Sequence, residues 1–532
     1  MDETTLALDK AWKNTCKVLF GQEIGDCTEY AKWLAEFVDP IYIKKSNISG
    51  RDVIFSTSDY PAGSKAACLD EVDFGKKFTP LGINQVKDID SIMEAINDRV
   101  CYAGSVVLGS SSHVSGSSNI TDSHYILNTT LTGKSKYMAY CTQCVLDNCG
   151  FGGNAFSECE YCLKCHEGTR LKRCFELWMS QDSSDCYYSH GLKNCANCMF
   201  SFNLQNKKNA IGNLALPTEK YKEIKSKLIS EMLGIVRKDK RLPSLLELVA
   251  GKKEIQVPSL ALPKAALQKT DKSKMEEAFA QTMTLLLDQD FSKGIDACSG
   301  WLLEHTHGLD KCKSAASGSV VFLAHYGNYS DLPQNRLLTL EEAKAFGEKL
   351  SLKPDEVNGL GFENVKQVIG KIAFFNTDIQ DGENWNDIDC AINITASNCY
   401  RTVCSAYSKY CAYTFWPQSS EYCFGCDIIF YSSFCANCYH SNNLKRCLEM
   451  DSCSNCSDCL FCHNVENCRN SMFCFNAKNL QYAVGNVEVG RERYMQIRKS
   501  VLAEFAKKLE AEKKPGLSIF SIGSQTKAKQ KA

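Results

Sequence analysis

Cysteine recurs at every twelfth residue over long stretches of this chain, and that spacing constrains the fold more than any other feature. In the second half Cys399, Cys411, Cys423, Cys435, Cys447 and Cys459 stand twelve apart, and Ser471 continues the series. In the first half Cys162, Cys174, Cys186 and Cys198 keep the same spacing. Within each twelve, small residues return at every third place, as in SSFCANCYHSNN and CSDCLFCHNVEN. A helix would need a period near 3.6 and far more Leu and Ala. Stacked coils explain the pattern instead. Each rung lays its strands on the last at about 4.8 Å, so equivalent positions form columns. The interior of so short a coil admits Ser, Cys, Thr and Ala but not Leu or Phe at every rung. A 24-residue rung with two similar sides would give the same columns. Asn443, Asn455, Asn467 and Asn479 share a column, as do Asn194 and Asn206. Asn suits left-handed corners and side-chain ladders.

The ladder occurs twice because the chain is a tandem duplication. Residues 171–213 align without a gap to 444–486 at an offset of 273, with 20 of 43 positions identical. Further upstream the match is looser, and Trp33-Leu34-Ala35-Glu36 answers to Trp301-Leu302-Leu303-Glu304 at an offset of 268. The expected fold is mainly β with α caps: a duplicated unit, each copy a parallel β-solenoid of 12-residue rungs flanked by a helical or α+β subdomain and a C-terminal helix. The boundaries read as subdomain 1–107, solenoid 108–217, capping helices 218–252 and linker 253–274. They continue as subdomain 275–383, solenoid 384–490, capping helix 491–514 and a disordered basic tail at 515–532. Nine or so rungs per half give a rod of roughly 40 Å.

The rung pattern resembles the tight solenoids of insect antifreeze proteins, whose inward Cys, Ser and Ala also recur every third residue. No Thr-x-Thr ladder is present, so that likeness covers fold only. The strings SSDCYYSHGLKNCANCMFSFNLQNKKNAIGNLALPTEKY and NSMFCFNAKNLQYAVGNVEVGRERY resemble an uncharacterised cysteine-rich family of uncultured archaea, candidate-phylum bacteria and their viruses. Its pattern is C-x-x-C, F-N-x-x-x-K, I-G-N and a Tyr-containing helix. The likeness covers about 100 residues of each half and implies no activity. The second copy departs from it at Leu480, where the first has Lys207.

A chain of 532 residues buries a sizeable core without staples, so its 31 cysteines are not the framework of a mini-protein. Lys+Arg (61) and Asp+Glu (62) balance, which gives no field for nucleic acid or an anionic membrane. The opening MDETTLALDKAWKN has no secretory pattern and no long apolar run occurs, so a cytoplasmic setting with reduced thiols is expected.

Two roles compete for the cysteines. Cys159, Cys162 and Cys165, and Cys453, Cys456, Cys459 and Cys462, have the spacing of zinc or iron–sulfur ligand runs. Spacing by three is equally the inward period of the rung, and Ser replaces Cys in these columns at Ser189, Ser201 and Ser471. Two CxxCH strings, Cys162–His166 and Cys459–His463, match haem attachment but do not occupy equivalent places in the two copies. Glu176/Glu449, Asp185/Asp458, His190/His463 and Arg173/Arg446 recur and could serve acid–base chemistry on a β-helix acting on glycans. The residue after the inward cysteine is apolar in rung after rung: Phe151, Leu163, Phe175, Tyr187 and Met199, then Phe424, Leu448, Leu460 and Met472. Strand alternation points that residue outward, and so long a stripe is not left wet. Either the two solenoids or the flanking helices cover it within the chain, or it is a subunit interface with a second copy. The function expected from sequence is a non-catalytic scaffold that self-assembles through solenoid faces, with no cofactor, nucleic acid, membrane or small-molecule substrate.

Overall fold

The fold is that of a computed structural model describing residues 2–157, 163–164, 166–169, 172–250, 257–260, 270–325 and 327–524, with backbone alone at 156–157, 166–169 and 327–328. It is a mixed α/β protein with two large, mostly parallel sheets.

Nearly every third residue in these sheets has φ close to +50°, as in the run Asn119, Asp122, Tyr125, Asn128, Leu131, Lys134 and Tyr137. A left-handed residue at each third place turns the chain four times in twelve, so a coil has four three-residue sides. The Asn columns occupy such corners, at φ 51–59° from Asn194 to Asn479. Their amides ladder from rung to rung: Asn443 Nδ2 donates to Asn455 Oδ1 at 2.7 Å and Asn194 to Asn206 at 3.2 Å. Tyr, Lys, Glu and Arg also take corners, at a steric cost of about 1 kcal/mol or more each, which the inter-coil hydrogen bonds offset. Parallel pairs join residues twelve apart, such as Cys423 with Cys435 and Cys198 with Ala210. That register excludes the 24-residue rung. Among the described residues only the first coil of each stack is longer, pairing Val107 with Ile120 and Ile379 with Ile392.

Each stack ends in an antiparallel turn-back, Ala210–Ile211 on Leu214–Ala215 and Ala483–Val484 on Val487–Glu488. The two turn residues are Gly212-Asn213 and Gly485-Asn486, all at positive φ, as a two-residue hairpin of the primed type requires. The shared I/V-G-N string is therefore a stop signal for the coils.

Four helices and two small α+β segments clothe the stacks. Glu3–Phe20 and Thr218–Asp239 lie on the first stack, Ser273–Leu287 and Arg491–Glu512 on the second. The α+β segments are exchanged. Val53, Phe55, Tyr60 and Ile96 of the first half share a core with Phe473, Phe475 and Phe505 of the second. Leu323, Val357, Leu360 and Phe375 of the second half share a core with Tyr188, Phe200 and Leu228 of the first.

The apolar stripe belongs to these cores, which corrects the subunit-interface expectation. Phe151, Leu163, Phe175, Met199, Phe424, Leu448, Leu460 and Met472 are fully buried in the single chain, and Tyr187 nearly so. Trp12 packs edge-on against Phe151 at 5.3 Å, Phe20 against Phe175 at 5.4 Å and Phe279 against Phe424 at 5.1 Å. Strand alternation set their direction, outward from the coil, and what covers them there is helices of the same chain rather than a second copy. Each such side chain contributes about 1.5–3 kcal/mol by burial.

Candidate functional site

The inward cysteines act as small donors inside the coil. Sγ of Cys453, Cys456, Cys459 and Cys462 each donates to the carbonyl two residues back, at 3.1–3.3 Å. Ser408 and Ser420 do the same with Oγ at 2.8 and 3.0 Å, which is why Ser and Cys interchange. Burial pushes the Cys453 and Cys462 thiols well above their ordinary range. Contact with Cys459 and burial raise Cys456 to about 12. A ligand must be a thiolate, and among the described residues no group of three or more His, Cys, Asp or Glu is placed to hold a metal ion. Cys453, Cys456, Cys459 and Cys462 are thus spread along the coil interior and not gathered into such a group; Cys159, Cys162 and Cys165 lie outside the described residues. His463, of the second CxxCH string, has both ring nitrogens committed to protein partners.

The polar pairs singled out by recurrence are structural. Glu176 and Glu449 are fully buried and accept the first backbone N–H of the short helical turns Leu245–Val249 and Ile519–Ser521. Burial raises both carboxyls to about 7. Arg446 holds Asp458 through two 2.6 Å bonds one coil apart, with a looser 4.0 Å copy at Arg173 and Asp185.

The groups with chemical potential collect elsewhere, where the two halves meet. The Trp-Leu-x-Glu turns dock on the stacks through glycines. A Cβ on Gly152 would lie 2.5 Å from Leu34 O, and one on Gly425 2.8 Å from Leu302 O. The residues that follow each turn are then tied to one column of the stack. Asn154 Nδ2 donates to Phe37 O at 2.8 Å. Its counterpart Asp427 accepts from the His307 backbone at 3.2 Å and pairs with its Nδ1 at 2.8 Å. The equivalent residues Asp39 and His307 thus enter one cleft of about 530 Å³, joined by Asp59, His305, His325 and His440. Four of the nine histidines line it.

Each of these imidazoles faces a carboxylate: His305 with Asp59 at 3.6 Å, His307 with Asp427 at 2.8 Å, His325 with Asp310 at 3.7 Å and His440 with Asp451 at 3.4 Å. Burial works to lower the first two and His440, but the carboxylates outweigh it. His305 and His440 end above their ordinary value and His307 rises to about 9. Burial raises the Asp39 carboxyl.

Asp451 lies behind the cleft with no exposed surface. Its Oδ2 accepts from Tyr60 OH at 2.7 Å and pairs with His463 Nδ1 at 2.7 Å; Oδ1 faces His440. Ala103 N–H donates to His463 Nε2 at 2.9 Å, so the His463 proton sits on Nδ1 and points at Asp451. Burial would raise this carboxyl, but the bonds from His440 and His463 hold it below the usual carboxylate range.

Recurrence misses this site because Asp451 stands where the first copy has Trp178, and His305 and His307 where it has Phe37 and Asp39. A search for polar residues that differ between the copies would have found them. Comparisons with family models, curated proteins and solved structures give no match. Among the described residues no helix is long and apolar enough to cross a membrane.

Proposed function

We propose that the two parallel stacks are β-solenoids acting as a rigid frame, and that the protein binds a small, uncharged, hydroxyl-rich ligand in the cleft between its halves. The carrying observation is the pairing of every cleft imidazole with a carboxylate. Such a lining has no surplus positive charge for a phosphate; of its other carboxyls, Glu304 pairs with Lys514 at 3.2 Å and burial disfavours the ionised form of Asp39. It does present many donors and acceptors to hydroxyl groups. Its size suits a small molecule, and side chains mounted on solenoid corners hold their geometry better than loop residues. The test is calorimetry with neutral mono- and disaccharides beside phosphates, dicarboxylates and amines. The reading expects a neutral compound to bind, and Asp427→Ala to weaken it at least tenfold. Binding by none of them, or by ions alone, contradicts it.

A second reading, self-association into a scaffold, is favoured by the first coils. The far ends are closed by hairpins, whereas Val107–Leu108 and Ile379–Asp381 are each paired on one side among the described residues. Val107, Leu108 and Trp385 are exposed there, and open strand edges pair with other chains. Sedimentation under reducing conditions tests it: an oligomer that Trp385→Lys dissociates supports end-to-end assembly, and a monomer at all concentrations removes it.

A further inference from the structure

We propose that His440 moves protons in the cleft, taking one from a hydroxyl of the bound compound, with Asp451 as its positioning residue; this rests on the cleft being a ligand site. The choice among the four imidazoles is geometric. His305 is engaged at both nitrogens, by Asp59 and by Ser518 Oγ at 3.3 Å. Asp427 grips His307 through ring and backbone together. His325 stands at the rim, two-thirds exposed. His440 sits on a left-handed corner of the coil at φ 46°. Its Nδ1 is on Asp451, which leaves Nε2 for the cleft it lines.

Asp451 is built to support such a base. Its charge is held in place by Tyr60 and by His463, whose tautomer the Ala103 N–H fixes. In the proton transfer the O–H bond breaks and its electron pair stays on oxygen. The new N–H bond forms at His440 Nε2, and the imidazolium faces the Asp451 carboxylate. The reverse step returns the proton, and nothing is oxidised or reduced. The other charged groups acting on His440 are Asp427 from the stack and Asp59 from the first-half segment, and both are already paired with His307 and His305.

The duplication supplies an internal control. His190, the counterpart of His463, has Trp178 in place of the carboxylate. Neither of its ring nitrogens has a partner among the described residues. The same column position without the aspartate therefore yields a histidine whose ring no described polar group orients.

The experiment is diethyl pyrocarbonate modification of the full chain, followed histidine by histidine by mass spectrometry across pH, since the reagent takes the unprotonated imidazole nitrogen. His440 is expected to react at least tenfold faster than His190 and His463, with a midpoint above that of an ordinary histidine. Asp451→Asn is expected to lower that midpoint by about one unit or more. Tyr60→Phe is expected to raise it, because the carboxylate loses a competing donor. Opposite signs do not arise from general loosening of the fold, and Tyr60→Phe alone decides if Asp451→Asn does not fold. An unreactive His440, or a midpoint that Tyr60→Phe leaves fixed or lowers, overturns the assignment. This readout needs no bound compound, so its failure is distinct from a failure of the calorimetric panel.

Discussion

One column of each stack presents the same backbone to very different chemistry. In the first stack it runs Asn154, residue 166, Trp178, His190 and Phe202; in the second Asp427, Tyr439, Asp451, His463 and Phe475. His190 packs edge-on against Phe375 at 4.9 Å and His463 against Tyr102 at 5.0 Å. The aromatic surroundings match, and the carboxylate does not. Burial alone drives His190 down to about 3, whereas His463 is locked between Ala103 and Asp451. A parallel stack thus fixes where a side chain stands, and single substitutions in a column decide which partners it meets.

The comparison can be broken most severely through what the two stacks share. Phe175→Asp and Phe424→Asp place a charge under a covering helix, so each is expected to cost more than about 4 kcal/mol and to unfold its half. Chemical denaturation distinguishes this from the dissociation of an otherwise folded oligomer, the outcome if the stripe were an interface. Next come the two histidines. His463→Leu strands the Asp451 carboxylate and the Ala103 N–H and is expected to cost about 2–4 kcal/mol. His190→Leu removes a polar ring without partners and is expected to be neutral or to stabilise by about 1 kcal/mol.

The paired glutamates sharpen the same contrast, since here the copies agree. Both carboxyls are raised to about 7 from an ordinary 4.5. The folded state therefore holds protons that the unfolded state has released, and stability falls as pH rises from 4.5 through 7. Glu176→Gln and Glu449→Gln should each be more stable than the parent at pH 8, by on the order of 1–3 kcal/mol, and equal to it near pH 4.5. The smallest effect concerns His307. Its value rises from 6.5 to about 9, so its contribution is complete below pH 6.5 and is lost as pH climbs through 9. With two-fifths of the ring exposed, melting should fall by only about 1–2 °C across that window, and Asp427→Asn should abolish the slope.

The coils themselves were readable in the sequence. An interior this narrow forces a small residue at every third place, so Cys423, Cys435 and Cys447 announce their own register. The duplication was legible for the same reason. What covers each stack was not. Val53 and Phe55, or Val321 and Leu323, are apolar strands that suit either of two similar surfaces, and nothing local records that they cross over. The stripe at Phe151 and Phe424 and its outward direction were visible, but an apolar face records only that it is covered, not whether Trp12 and Phe279 of the same chain or a second copy covers it. The cleft was hidden because recurrence selects what both copies need for folding, such as Glu176 and Glu449. Its own residues, His305, His307 and Asp451, are where the copies part.

A pH titration of the histidine ring resonances separates the two kinds of histidine. His440 is expected to titrate with a midpoint above 6.5 while His190 stays neutral and unshifted from pH 5 to 9. Identical curves for the two, or a His440 that does not titrate, would contradict it.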